Sequence, residues 1–189
     1  MDTIAKIRSV LRESNEVQRQ LVLQAPLIQR IAATMIAALK KGGTIIAFGN
    51  GGSACDSQHL AAELVGRFRR EKKPLRAVSL AANTAILTAV SNDYGYEYSF
   101  SKQIEALGRK GDIAFAISTS GNAANVIEAV AKAKKRTITT IGLSGKGGGK
   151  LAKAADLSFI VPSNNTARIQ EAHLAIIHII GELIEDAFA

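Results

Sequence analysis

With a single cysteine, Cys55, in 189 residues, the chain has no means of forming an intrachain disulfide. That usage fits a reducing, cytoplasmic compartment. Tryptophan is absent and aromatic residues make up 5% of the chain, which argues against a base-stacking platform for nucleic acid. Long apolar runs are missing as well. The longest, near the C-terminus, is broken by His173, His178 and Glu182 and is too short and too polar to span a bilayer, so no membrane partner is expected. The first eight residues, Met1 to Arg8, are charged and lack the apolar stretch of a signal peptide.

Acidic residues are the other shortage. Sixteen Asp and Glu stand against 24 Lys and Arg, for a net charge of +8 and an isoelectric point near 9.8. Such an excess raises nucleic acid as a partner. The cations are scattered, however, and the densest clusters, Arg67–Lys73 and Lys132–Arg136, fall at helix ends or in loops. Positive charge beside a phosphate site accounts for them equally well, so nucleic acid is not the expected partner.

The 47% of apolar residues is ample for a packed core, and the length suits a single domain over 1–189. Residues 2 to about 41 read as two helices, from Ile4, Ile7, Val10 and Leu11 and then from Leu27, Ile28, Ile31, Ala32 and Ile36. Pro26 marks a break or a first helical turn between them. This arm exposes apolar faces that one small sheet cannot cover, so part of it is expected to pack in an oligomer. From 43 onward, short apolar runs at Thr44–Phe48, Leu75–Leu80, Asp112–Ile117, Thr137–Leu143 and Leu157–Val161 alternate with helical patterns near 54–66, 84–91, 97–107, 122–134 and 148–154. A long helix near 166–187 follows. This alternation predicts an α/β fold with a parallel sheet covered on both faces, and such folds bind ligands at the carboxyl ends of their strands.

Two loops fall at those ends. The first opens Gly49-Asn50-Gly51-Gly52-Ser53; the second is Ser118-Thr119-Ser120-Gly121-Asn122. Small residues allow close backbone approach, and free N–H groups at a helix start attract phosphate. A tight turn would explain the glycines alone, and helix capping would explain one hydroxyl. Three consecutive hydroxyls favour an anion, and the two loops together predict a phosphorylated ligand. A dinucleotide fingerprint fails at Ala54. The cluster Gly145-Lys146-Gly147-Gly148-Gly149-Lys150 is read as a loop, since neither lysine is followed by Ser or Thr as a P-loop requires.

His59 and Glu63 lie four apart and share one helix face, suited to metal or proton chemistry, or to an ordinary surface pair. The last helix offers Gln170, Glu171, His173 and His178. Glu171 and His178 are nearly aligned, Gln170 lies about 80° from His178 around the helix, and His173 about 140°. His173 is therefore read as structural, while spacing leaves Gln170 and Glu171 both open as partners of His178. Two histidines and a carboxylate suit Zn²⁺, provided that they converge.

In this order the segments resemble the sugar isomerase (SIS) domain family, in its phosphoheptose isomerase branch. The resemblance rests on Phe48 to His59, Ala62 to Phe68, Ser91 to Gly95, Ile117 to Asn122, Thr166 to Glu171 and His178. It covers nearly the whole chain. It implies a three-layer α/β/α sandwich around a five-stranded parallel sheet, preceded by the helical pair. It implies a homotetramer with active sites between subunits, and interconversion of sedoheptulose 7-phosphate and D-glycero-D-manno-heptose 7-phosphate, which feeds bacterial surface polysaccharide. One Zn²⁺ per subunit is implied at His59, Glu63, Gln170 and His178, with Glu63 and His178 as base and acid. Ser53 and Ser118 to Ser120 match phosphate positions; Asn50, Gly51, Gly52, Asn92 and Asp93 match substrate contacts, joined by Glu63 and Gln170. One departure stands out: the serine that usually follows Ser-Thr-Ser-Gly-Asn is Ala123. Some relatives are instead non-catalytic tetramers that bind the bacterial replication initiator, a role that gives the His59, Glu63, Gln170 and His178 set no task.

Overall fold

The computed structural model describes residues 2–189. Two helices lead: α1 (Thr3–Val22), capped by the Asp2 carboxylate, and α2 (Ala25–Lys40), with Pro26 in its first turn where no N–H is needed. Strands and helices then alternate as β1 (Ile45–Gly49), α3 (Gly52–Val65), β2 (Ala77–Ser79), α4 (Thr84–Tyr94), α5 (Ser101–Leu107), β3 (Ile113–Ser118), α6 (Ala124–Lys135), β4 (Thr139–Ser144), α7 (Gly149–Ala154), β5 (Leu157–Ile160) and α8 (Thr166–Phe188). The five strands are all parallel, in the order β2-β1-β3-β4-β5. The expected sandwich and leading helical pair are both present.

Two expected boundaries shift. The pattern over 97–107 is not one helix: Gly95 adopts φ +104°, a 3-10 turn occupies Tyr96–Tyr98, and α5 starts only at Ser101. The second strand shrinks to three residues, since β2 is an edge strand paired to β1 alone.

Alternation within the strands divides the core. Ile45 and Ala47 of β1, with Ile113, Phe115 and Ile117 of β3, face one layer; α2, α3 and α8 cover it through residues such as Ile31, Met35, Leu60, Ile176 and Ile180. Ile46, Phe48, Ala114 and Ala116 face the other, under Ile104, Val126, Ala129 and Val130 of α5 and α6. Each fully buried Ile, Leu or Phe contributes about 1.5–3 kcal/mol. This double burial is why the strands read as continuous apolar runs.

The strand order reverses between β1 and β3, whose carboxyl ends pair Gly49 with Ile117. In an open parallel sheet the ligand crevice lies at this reversal.

Candidate active site

Two of the loops meet at the reversal. Gly49 closes β1, and a Cβ there would come within 2.7 Å of the Ser53 Cβ and 2.8 Å of the Ile117 carbonyl oxygen. Only glycine lets the two loops approach so closely. Ser53 and Ser118 are both buried. Neither α3 nor α6 has a side-chain cap; the Ser53 and Ala54 N–H groups donate to the Asn50 and Gly51 carbonyls, which leaves Gly52 N–H at α3 and the first N–H groups of α6 for a ligand. At α6 the N-cap residue is Ala123, where a serine could have bonded inward.

Further along α3, His59 and Glu63 face His178 of α8. The two Nε2 atoms are 2.9 Å apart, the ring centroids 5.0 Å, and Glu63 Oε1 lies 3.1 Å from His59 Nε2. The three ligand atoms all fall within 4.8 Å of one another. A tetrahedral ion with bonds of about 2.1 Å holds its ligand atoms roughly 3.4 Å apart, so the two distances from His59 lie within about half an ångström of that spacing and the donor set suits Zn²⁺. The convergence that spacing left open is thus present within one chain.

A model of the SIS domain matches residues 10–145. The chain belongs to the SIS domain family. It is 49% identical to the phosphoheptose isomerase of Aquifex aeolicus, over 97% of this chain and 96% of that one. It is 52% identical to that of Helicobacter hepaticus, over 85% and 82%. The structure of phosphoheptose isomerase from Neisseria gonorrhoeae superposes with a TM-score of 0.91 at 42% identity, covering 96% and 98% of the two chains. That from Francisella tularensis does so with 0.95 at 35%, covering 98% and 100%. Within the SIS domain family, this chain stands among the phosphoheptose isomerases.

The remaining predicted residues of this SIS domain occupy distinct places. Gln170 does not sit beside His178. They lie eight positions apart on α8, about 12 Å at 1.5 Å per residue, and the Gln170 amide rests on Gly52, where a Cβ would lie 2.3 Å from Nε2. Glu171, the alternative left open by spacing, faces α1. It takes a two-pronged ion pair from Arg168 and a 2.7 Å hydrogen bond from Ser14. The Arg168 guanidinium holds its carboxyl below the usual range. Asn92 and Asp93 bond to each other at 2.9 Å on the exposed end of α4, a helix with no buried residue. His173 is fully buried, and neither ring nitrogen makes a well-formed hydrogen bond. Burial lowers its pKa to about 4, although the nearby Ser144 backbone pulls the other way.

The Thr119 and Ser120 segment packs on the glycine cluster at 145–149. Gly145 N–H donates to the Thr119 carbonyl at 3.1 Å, and Cβ atoms at Gly121 or Gly149 would strike the opposing backbone. Those glycines therefore serve contact with the serine loop.

Five residues were not among the candidates read from the sequence. Asn125, buried in the first turn of α6, exchanges two hydrogen bonds with Asn50, of 2.8 and 2.9 Å. The Tyr96 hydroxyl donates to Asn50 Oδ1 at 2.8 Å. The two N-terminal loops are thereby tied to each other through one amide pair. Phe68 stacks on the His178 ring at 5.6 Å. Its segment is held by Glu185, buried on α8: burial pushes that carboxyl up, but the N–H groups of Arg70, Arg69 and Phe68 outweigh it and keep it ionised. Asp56, one turn before His59, has one carboxylate oxygen without a partner; burial pushes it up to about 6, against the pull of His59. Only the glycine-following Asn50 had a motif to mark it; its partners carried no local signal.

Proposed function

We propose that this protein is an aldose–ketose isomerase that converts sedoheptulose 7-phosphate to D-glycero-D-manno-heptose 7-phosphate. The observation that carries the reading is the meeting of His59, Glu63 and His178 beside two uncapped helix N-termini at the sheet reversal. Identity near 50% to proteins named phosphoheptose isomerase supports the substrate.

The phosphate binds at the N-termini of α3 and α6, against Ser53, Ser118, Thr119 and Ser120. Its binding energy orients the far end of the sugar. Asn50, Gly51 and Gly52 line the chain's path, and Asn125 with Tyr96 fixes the Asn50 amide. Glu63 takes the proton from C1 of the ketose and returns it to C2, while His178 exchanges the proton between the two oxygens as the enediol forms and collapses. His59, Glu63 and His178 would hold Zn²⁺, with Gln170 as the fourth residue. Zn²⁺ there would supply Lewis-acid polarisation of the substrate oxygens. Phe68 packs against His178 and limits its rotation.

Subunit assembly belongs to the same reading. Ile4, Ile7, Leu11, Val22 and Leu23 are each more than half exposed. An apolar groove of about 620 Å³ runs between α1, α2 and α8. A homotetramer covers these faces and brings Asn92 and Asp93 of exposed α4 toward a neighbour's site. Among the described residues no single helix is long and apolar enough to cross a membrane. With its lone cysteine, this supports a cytoplasmic location.

The test is direct isomerisation of sedoheptulose 7-phosphate by the pure protein, before and after chelation and after return of Zn²⁺. Aldose product, lost on chelation and restored by the ion, is expected. No product from a fully folded, zinc-loaded protein would overturn the proposal.

A further inference from the structure

A second concave site lies at the opposite end of the sheet. It is a cleft of about 450 Å³ bounded by the residues that precede β1, β2 and β3. Four cations line it: Lys41, Arg76, Arg109 and Lys110. None of them takes part in an ion pair among the described residues.

The one carboxylate in the lining does not offset this charge by pairing. Asp112 is buried and is occupied by the backbone: Thr44 N–H donates to Oδ1 at 2.8 Å and Arg109 N–H to Oδ2 at 2.7 Å. Asp112 therefore clamps the two loops that form the cleft. Their backbones touch, since a Cβ on Gly43 would come within 2.3 Å of the Gly111 carbonyl oxygen. Arg76 is anchored as well, its Nε donating to Thr44 Oγ1 at 3.1 Å and leaving its terminal nitrogens free for other acceptors. The cleft is thus built, concave and cationic, with one guanidinium oriented in advance.

No aromatic ring lines it, so recognition there rests on charge and hydrogen bonds. The five residues of β1 place it about 16 Å from the glycine loop, too far for a substrate phosphate held there to reach. We propose that this cleft binds a phosphate-bearing small molecule, with Arg76, Arg109 and Lys110 as its phosphate ligands. It is a site separate from the one that handles the isomerised sugar. Guanidinium groups match phosphate oxygens two at a time, and the volume falls within the range of small-ligand pockets.

The test is calorimetric titration of inorganic pyrophosphate into the full chain at 0.15 M salt. A Ser118→Ala/Ser120→Ala variant serves as the parent, so that the anion loops of the first site contribute little. About one pyrophosphate per chain should bind, and Arg109→Ala/Lys110→Ala should weaken it by about tenfold or more. Arg76→Ala, at an exposed position before β2, is the second variant should the loop pair disturb folding, and it should weaken binding in the same way. Lys6→Ala/Lys153→Ala, which removes the same charge outside the cleft lining, should leave binding unchanged. No binding to the parent, or equal weakening by both charge-removing pairs, would overturn the proposal. So would a cleft that ignores pyrophosphate and takes only an oligonucleotide. Because the readout is binding, failure of the isomerase reading leaves this test intact.

Discussion

Replacing His173 by phenylalanine should flatten the acid side of the protein's stability curve. The ring is fully buried on α8, and burial lowers its pKa from 6.5 to about 4. Above about pH 6.5 it is neutral in both the folded and unfolded chains and adds no pH dependence. As the pH falls from 6.5 toward 4, the unfolded chain takes up a proton that the folded chain refuses, so stability drops. Below about pH 4 both forms carry the proton and the loss levels off. The full gap corresponds to about 3 kcal/mol, of which about 2 kcal/mol should be lost between pH 7 and pH 5. Asp56 acts in the opposite sense: its carboxyl is raised to about 6, so the folded chain binds that proton first. It is common to both proteins and cancels in the comparison. Urea titrations followed by circular dichroism, at fixed protein concentration and several pH values, measure the difference. His173→Phe should lose about 2 kcal/mol less than the parent over that interval. Parallel pH curves for the two proteins would show that the buried imidazole does not set the acid limit.

Glu63→Gln keeps the shape of the side chain and removes its basic form; a folded protein with kcat lower by about two to four orders of magnitude is expected, read by steady-state isomerisation. Near-normal kcat would remove Glu63 as the base. Ser118→Ala/Ser120→Ala should raise KM for the sugar phosphate and also lower kcat, because distant binding energy orients the reacting carbons; unchanged kinetics would reduce these hydroxyls to loop contacts. Ala123→Ser restores a side-chain cap to α6 and should raise stability by about 1 kcal/mol in urea titration, with no gain if the new hydroxyl turns to solvent. Tyr96→Phe removes the hydroxyl that donates to Asn50; thermal stability should hold while KM rises, and an equal fall in stability would make Tyr96 a packing residue.

The sequence by itself determined the layer architecture. Strands buried on both faces must be apolar at every position, as Ile113–Ile117 are, and helices packed on one face must repeat at 3.6 residues, as Ile169, Ala172, Ile176 and Ile180 do. Both signals are local. The two strand-end loops were legible for the same reason, since their glycines and hydroxyls are adjacent in the chain. The choice between Gln170 and Glu171 was not, because neighbouring helix positions differ only in what packs against them. Tertiary structure takes Glu171 away from His178 by placing Arg168 and Ser14 on it, and rests the Gln170 amide on Gly52. It also decided that His59 meets His178 across a separation of 119 positions, and that Asn125 and Tyr96 secure Asn50. These are contacts between elements whose order in the sheet no local pattern encodes. They exist because parallel pairing of β1 with β3 carries both loops, and the helices behind them, to the same end of one sheet.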